Sequence, residues 1–113
     1  MKVSNYLDTK PIQELSGVVK REVITADDGA PHFSMRVFEV QPGSSSPSHS
    51  HSFEHEVFVL SGQGAVISGQ GEIPIAKDCV IFVAPNEHHC FVNKGNELLR
   101  FICVIPLVTL DQP

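Results

Sequence analysis

The sequence GSSSPSHSHSFEHEVFVLSG, residues 43–62, contains the signals that decide both the fold and the chemistry of this chain. A turn-forming run of Gly, Ser and Pro leads into closely spaced histidines, and an apolar segment follows them. Side chains alternate between the two faces of an extended chain, so His49, His51 and His55 share one face and Glu56 lies on the other. Residues 57–60 are apolar on both faces, which predicts a buried strand whose histidines point toward an interior.

Interior histidines need partners, because a buried imidazole has two ring nitrogens to satisfy. A metal ion supplies one such partner. A single core histidine is usually explained by a hydrogen bond, and a charged loop in solvent is the other alternative. Three histidines on one face of one segment favour a metal site over both.

Short strand-like segments make up most of the remaining chain, and Gly, Pro and Asn separate them. They are VVKREVI (18–24), HFSMRVFEV (32–40), GAVIS (64–68), EIPIA (72–76), CVIFVAP (79–85), HHCFVN (88–93) and LLRFICVIP (98–106). No segment shows an amphipathic helical repeat, although PIQEL (11–15) could form one helical turn. This spacing predicts an all-β antiparallel sandwich or barrel. We expect a single domain over residues 1–113, with an N-terminal strand at about 16–25.

Composition limits the classes of partner. The net charge is −5 and no Lys/Arg cluster is present, so neither nucleic acid nor an anionic membrane surface is expected to bind. No apolar run approaches the roughly 20 residues of a membrane helix, and the N-terminus lacks the apolar centre of a secretory signal. Cys79, Cys90 and Cys103 form no CxxC motif, and we interpret them as small buried side chains in a reducing compartment, the cytoplasm.

A second histidine-containing segment is PNEHHCFVN, residues 85–93. The adjacent His88 and His89 must point to opposite faces if they begin a strand. His89 shares its face with Phe91 and Asn93, so it is the one expected to join the histidine site. His88 is then a rim or surface residue.

These two segments resemble the two motifs of the cupin family, and the resemblance covers about residues 32–106. The first motif has a Gly, then HxH, a third ligand and a Gly beyond a short strand, as in residues 43–62. The second has Pro, a short turn, His and Asn, as in residues 85–93, although the usual turn glycine is missing and Glu87 lies nearby. Similarity is greatest to small single-domain cupins of the HxHxxEHE type.

The resemblance implies a jelly-roll barrel, a double-stranded β-helix, that encloses one divalent transition metal ion. The implied ligands are His49, His51, His55 and His89, with Glu56 as the alternative to His55. Imidazole ligands suit iron, nickel or zinc, and similar cupins carry manganese, so Mn, Fe, Ni and Zn all stay open. Four protein ligands leave coordination positions free for a small, anionic substrate.

The reaction class stays open at this level. An enzyme, either an oxygenase, a decarboxylase or an isomerase, is favoured over a non-catalytic metal or ligand-binding module such as a sugar or carboxylate sensor. Candidate proton-transfer groups and carboxylate anchors, each also explicable as a solvated surface charge, are Glu39, Glu54, Glu87, Arg36 and Arg100. The side chains available for an apolar pocket are Phe53, Phe58, Phe82, Phe91 and Phe101.

A homodimer is expected from strand edges. An unpaired edge strand exposes backbone groups that invite a second chain. The segment SGVVKREVI, residues 16–24, is the predicted edge, although Lys20 and Arg21 within it are also compatible with protection of a monomer. Small cupins commonly pair through N-terminal strands, so the resemblance favours the dimer.

Overall fold

Nine strands dominate the computed structural model, which describes residues 1–107. The strands are β1 (Ile12–Leu15), β2 (Val18–Ile24), β3 (Phe33–Val40), β4 (His55–Ser61), β5 (Gln63–Ser68), β6 (Gly71–Ala76), β7 (Val80–Val83), β8 (His89–Asn93) and β9 (Leu99–Pro106). Two one-turn 3₁₀ helices span Tyr6–Asp8 and Ala26–Asp28. No helix in the described part of the chain is long and apolar enough to cross a membrane. The predicted single domain over residues 1–113 extends beyond these residues and stays a prediction.

The strands form two antiparallel sheets that share one core. The larger sheet has the order β1-β2-β3-β9-β4-β7, and the smaller has the order β6-β5-β8. Buried apolar side chains of both sheets meet between them, including Val18, Phe38, Val40, Val59, Leu99 and Phe101 from the larger sheet and Val66, Ile75 and Phe91 from the smaller. The predicted all-β jelly-roll barrel is therefore confirmed.

The histidine segment differs from the expected continuous strand. β4 begins only at His55, while residues 43–49 run antiparallel to β8 of the smaller sheet. The carbonyl oxygen of His51 accepts a hydrogen bond from Asn86 N, in the turn before β8. The prediction of one strand through His49, His51 and His55 is thus wrong, because His49 pairs with His89 of β8 whereas His55 begins β4.

The N-terminal prediction also needs correction. PIQEL does not form a helical turn, since residues 12–15 are β1 and pair with β2 through a hairpin closed at Gly17. Residues 16–24 are not the sheet edge, because β2 is flanked by β1 on one side and by β3 on the other. The edges of the larger sheet are β1 and β7.

β4 is buried on one face only, although both faces were expected to be buried. Val57 and Val59 lie in the core, whereas Phe58 is 41% exposed. Phe58 lies beside Val80 and Phe82 of the edge strand β7, which are also exposed. The outer surface of β4 and β7 is therefore apolar and accessible.

Gly62 offers a stability test, because it needs both a left-handed backbone and space. Its φ is +92°, and an added Cβ would lie 2.5 Å from the Leu98 carbonyl oxygen. Gly29 has a similar φ of +89° but nothing within 4 Å of such a Cβ. Gly29→Ala should lower the free energy of unfolding by about 1–2 kcal/mol, because alanine is strained in a left-handed backbone conformation. Gly62→Ala should lower it by about 1–3 kcal/mol more, because the added methyl group also overpacks the site. Urea unfolding measures both; equal costs would contradict the close approach at Gly62.

Candidate metal and ligand site

Backbone pairing brings the first histidine to the last. The His49 and His89 main chains exchange two hydrogen bonds, of 3.1 and 2.9 Å, and Asn86 N donates to the carbonyl oxygen of His51. The turn before β8 is made without glycine, because Asn86 adopts a left-handed φ of 66°. Asn86 thus performs the conformational role of the glycine that this motif lacks.

Four imidazoles converge on one cavity between the sheets. His55 enters from β4 and His89 from β8, and their ring centroids are 4.9 Å apart. His49 lies 4.2 Å from His51 and 5.0 Å from His89, and His51 lies 5.1 Å from His55. The cavity they line has a volume of about 50 Å³, with Phe38, Phe91 and Phe101 as apolar wall. All four histidines chosen from the sequence are therefore brought together.

The ring spacing fits a shared ion. A metal bound at about 2.0–2.1 Å from an imidazole nitrogen lies about 3.2 Å from the ring centre. Two rings on one ion then have centres about 4.5 Å apart at a right angle and about 6.4 Å apart when opposite. Five pairs among the four imidazoles have ring-centroid separations of 4.2 to 6.1 Å, which is nearly the same interval.

The two most buried histidines present one free nitrogen each. His89 Nδ1 lies 3.0 Å from the Glu87 carbonyl oxygen, which can only accept, so Nδ1 carries the proton and Nε2 keeps its lone pair. His55 is 3% exposed, its Nδ1 contacts Cys103 Sγ, and its buried Nε2 has no hydrogen-bond partner among residues 1–107. An unsatisfied buried nitrogen is costly, and a metal ion would satisfy it.

The donors do not yet converge fully. Among residues 1–107, no three His, Cys, Asp or Glu side chains are arranged so that they would hold an ion as they stand. The ring centres have the spacing of a shared ion, but the donor atoms are not arranged around one point. His49 and His51 lie outside the regular strands and are only partly buried.

Glu56 lies away from this cavity. It is exposed on the outer face of β4 and borders the apolar surface formed with Phe58 and Phe82. The alternation of side chains along β4 puts it opposite His55. Of the two alternatives for the third ligand, the geometry therefore favours His55.

Arg36 is the anchor candidate that lines the cavity. Its Nη2 donates to Cys103 Sγ at 3.1 Å, its guanidinium carbon lies 5.1 Å from the centre of the Phe38 ring, and its Nε is buried without a partner. Arg36 takes part in none of the ion pairs among residues 1–107. A partly buried cation without a carboxylate partner is well placed to receive an anion.

Arg100 and Glu39 belong to a separate network. Arg100 Nη1 donates to Tyr6 Oη at 2.9 Å, Tyr6 Oη donates to Glu39, and Glu39 pairs with Arg21. The Arg21 and Arg100 guanidinium carbons both lie 5.5 Å from the Tyr6 ring centre. These residues tie the N-terminal segment to the larger sheet and do not line the histidine cavity.

The other charged candidates also lie outside the cavity. Glu54 is exposed, and the Glu87 carboxylate accepts a hydrogen bond from Ala84 N at 3.0 Å within the turn before β8. His88 is exposed, with Nε2 2.6 Å from Ser48 Oγ, in the rim position expected for it.

The phenylalanines divide into two groups. Phe91 and Phe101 line the cavity, and Phe53 stacks on the His51 ring at 4.8 Å. Phe58 and Phe82 are on the outer surface instead. The apolar pocket predicted from all five is thus built by only some of them.

The sequence patterns did not identify five of the residues that line the cavity, which are Glu14, Phe38, Ser46, Pro47 and Cys103. Glu14 of β1 is the only carboxylate lining the cavity within the described residues, and it pairs with Lys20 at 2.9 Å. The Ser-Gly pair at residues 16–17 between two alternating runs is a hairpin signal that would have placed Glu14 on a strand. Cys103 was interpreted only as a buried filler, yet it shares its face of β9 with Leu99 and Phe101 and reaches the cavity wall.

Burial favours the neutral form of three cavity imidazoles, those of His49, His51 and His55. Burial lowers the pKa of His49 to about 4. The neighbouring His51 and His89 also lower this pKa, whereas the Glu14 carboxylate raises it. Burial lowers the pKa of His55 to about 3, and the neighbouring imidazoles and Arg36 add to the effect. The pKa of His51 is lowered for the same reason. Neutral imidazole is the form in which a histidine can act as a metal ligand.

Acid should destabilise the metal-free protein between about pH 6.5 and 4. An unfolded chain has histidine pKa values near 6.5, above those of His49 and His55 in the folded protein. The unfolded state therefore binds more protons in this window, and the free energy of unfolding falls as the pH falls. Urea unfolding at pH 7.5, 5.5 and 4.5 measures how steeply the free energy of unfolding depends on pH. This dependence should be weaker in His55→Leu, which lacks one of the buried imidazoles. Stability that is flat or increases toward acid would contradict the pKa values.

Comparison with known proteins reveals close similarity in sequence and fold. The family model for the cupin domain (Cupin_2) matches residues 36–105. The oxalate-binding protein of Thermotoga maritima is 31% identical over 111 residues, which cover 95% of this chain and 86% of that protein.

Solved structures agree with this result. The polyketide cyclase RemF from Streptomyces resistomycificus superposes with a TM-score of 0.87 and 32% identity, over 96% of this chain and 80% of the cyclase. A protein described as a predicted oxalate decarboxylase from Thermotoga maritima superposes with a TM-score of 0.80 and 26% identity, over 95% of this chain and 100% of that one.

Proposed function

Since the chain belongs to the cupin family, we propose that it is a metal-dependent cupin that binds a small anionic molecule, and that it acts on this molecule as an enzyme. The proposed ligands of one divalent ion, whether Mn, Fe, Ni or Zn, are His49, His51, His55 and His89. The reaction class proposed is that of an oxygenase, decarboxylase or isomerase. When bound, the ion supplies Lewis acidity to an oxygen of the substrate.

The observation that carries this proposal is the Arg36 guanidinium, which lies beside four imidazoles and forms no ion pair with any residue of the described range 1–107. Neutral imidazoles do not cancel the charge of a divalent ion, and Arg36 adds a further positive charge. The cavity would therefore have a strong excess of positive charge around a volume of about 50 Å³. A carboxylate fits that charge, and the small volume favours a compact acid over an extended one.

The residues of the chain then have distinct tasks. Arg36 binds and orients the carboxylate through its guanidinium donors. The rings of Phe38, Phe91 and Phe101 exclude water from one side of the molecule. Glu14, partly exposed and paired with Lys20, is the carboxylate placed to accept or release a proton at the cavity.

Calorimetric titration tests the proposal. Protein loaded with one equivalent of Zn²⁺ or Mn²⁺ is titrated with oxalate, with other dicarboxylates, with keto acids and with uronates, and the metal-free protein serves as the control. We expect at least one small carboxylate to bind only the loaded protein, and the products formed from that carboxylate then identify the reaction. No binding, or equal binding with and without metal, would contradict the proposal.

A non-catalytic binding role is the second candidate. The similarity to an oxalate-binding protein over nearly the whole chain favours it. Turnover distinguishes the two roles. After long aerobic incubation with the protein, the ligand of a binding module is recovered unchanged, whereas an enzyme converts it to product.

The proposal includes a homodimeric assembly and a cytoplasmic location. We expect a homodimer, now through β7 rather than residues 16–24, since β7 is an edge strand and exposes Val80 and Phe82. Cys79, Cys90 and Cys103 are free thiols, which supports a reducing compartment such as the cytoplasm.

Light scattering tests the dimer. The mass should be about twice 12.4 kDa at micromolar concentration and should fall to the monomer value in Phe82→Glu, because a charge cannot be buried in an apolar interface without a partner. Ile73→Glu, at an exposed apolar position on β6 of the other sheet, is the matched control and should remain dimeric. A wild-type protein of monomer mass, or a dimer unaffected by Phe82→Glu, would contradict the assignment.

A further inference from the structure

Cys103 lies where the anchor and a ligand of the proposed site meet. In the larger sheet it is directly opposite Arg36 of β3 on one side and Val57 of β4 on the other. His55 lies two residues before Val57 and so faces the same side of the sheet. The side chain of Cys103 is 3% exposed and is therefore enclosed between these two neighbours.

Two hydrogen-bonding groups converge on the sulfur atom. Arg36 Nη2 is 3.1 Å from Cys103 Sγ, and His55 Nδ1 is 3.4 Å from it. A guanidinium can only donate, so the sulfur accepts from Arg36. Toward His55 there are two alternatives: the imidazole donates its Nδ1 proton to sulfur, or the thiol donates to a bare Nδ1.

The two alternatives have opposite consequences for His55 Nε2, which is buried without a partner. If Nδ1 carries the proton, Nε2 has a lone pair and can bind an ion. If the thiol donates to Nδ1, Nε2 carries the proton and cannot. His89, in the same cavity, has the first of these two arrangements. Its Nδ1–H donates to the Glu87 carbonyl oxygen, so its Nε2 keeps a lone pair.

We propose that Cys103 is a positioning residue, whose sulfur accepts hydrogen bonds from both Arg36 Nη2 and His55 Nδ1 and thereby fixes His55 as the Nδ1–H tautomer with Nε2 available to a metal. This inference rests on the proposed function. Outer hydrogen-bond partners of metal-bound histidines orient the ring and raise its basicity, and their loss typically costs about 10–100-fold in metal affinity. A small apolar side chain would fill the same space but would provide no acceptor.

Three variants and two measurements test the role. Cys103→Ala removes the acceptor, Cys103→Ser replaces the sulfur with another acceptor, and Cys90→Ala removes a thiol from β8 that does not line the cavity. Long-range proton–nitrogen NMR of the metal-free protein at pH 8 reports the His55 tautomer. Competition with a chromophoric chelator reports the dissociation constant for Zn²⁺.

We expect the wild type, Cys103→Ser and Cys90→Ala to have the His55 Nδ1–H tautomer and similar zinc affinity. Cys103→Ala should show a mixture of tautomers and zinc affinity lower by about 10–100-fold. A Nε2–H tautomer in the wild type, or a Cys103→Ala protein with unchanged tautomer and affinity, would overturn the inference. A wild type that binds no zinc would instead contradict the proposed function, and the tautomer comparison would still decide the role of Cys103.

Discussion

His55→Ala is expected to lose the metal, with affinity reduced by more than about a hundredfold, beyond the range typical for an outer hydrogen-bond partner. His55 is the most deeply buried member of the group and presents an unpartnered Nε2 to the cavity. No neighbour can replace it, because Glu56 points to the outer surface of β4. Metal content after dialysis against a weak chelator, measured by mass spectrometry, reports the loss.

Controls separate this effect from general damage. His88→Ala removes an exposed histidine of the second motif, whose ring nitrogen contacts Ser48 Oγ, so the metal content of this variant should equal that of the wild type. Glu56→Ala should also keep the metal. Circular dichroism checks that each variant retains its β-structure. Metal retained in His55→Ala but lost in Glu56→Ala would reverse the assignment of the third ligand.

Arg36→Met is expected to weaken carboxylate binding by about 10–150-fold, which corresponds to about 1.5–3 kcal/mol for a hydrogen bond to a charged group. Metal affinity should stay the same or rise, because Arg36 is a positive charge that acts against protonation, and hence against any cation, at His55. Weaker carboxylate binding with unchanged metal binding would show that Arg36 binds the carboxylate directly. Calorimetry on metal-loaded protein measures both affinities.

Arg100→Met is the matched control for this prediction. Arg100 is also partly buried and contacts an aromatic ring, but that ring is Tyr6, outside the cavity. Its substitution should leave carboxylate affinity unchanged. If Arg36→Met binds the carboxylate as the wild type does, the anchor role is wrong; if it loses the metal as well, Arg36 instead supports the histidine site as a whole.

Local sequence patterns predicted most strands but not how distant segments pair. VVKREVI coincides with β2, and the predicted strands at 32–40 and 98–106 match β3 and β9 within one residue. These segments have strong β-propensity and clear turn residues at their ends. PIQEL was misinterpreted because five residues carry too little periodicity to distinguish a helical turn from a short strand, and its pairing with β2 is a tertiary effect.

The site shows the same division. The histidine spacing and the two motifs predicted the four imidazoles, yet the alternation of side chains along one strand does not account for them, because His49 pairs with β8 while His55 belongs to β4. The contacts of Cys103 with Arg36 and His55 depend on the register of three strands distant in sequence. The register between these strands depends on the packing of the whole barrel, so no short segment of sequence predicts it.

X-ray absorption spectroscopy of the metal-loaded protein is the most direct test of the central claim, that four imidazoles of this cavity bind one ion. Metal-free protein is reconstituted with one equivalent of Zn²⁺ or Ni²⁺, and the scattering by imidazole rings is fitted. The account predicts one ion per chain with four imidazole nitrogens at about 2.0–2.1 Å, and one ring fewer in His89→Ala if any metal stays bound. A coordination shell with three or fewer imidazoles in the wild type, or one that is unchanged when His89 is replaced, would contradict it.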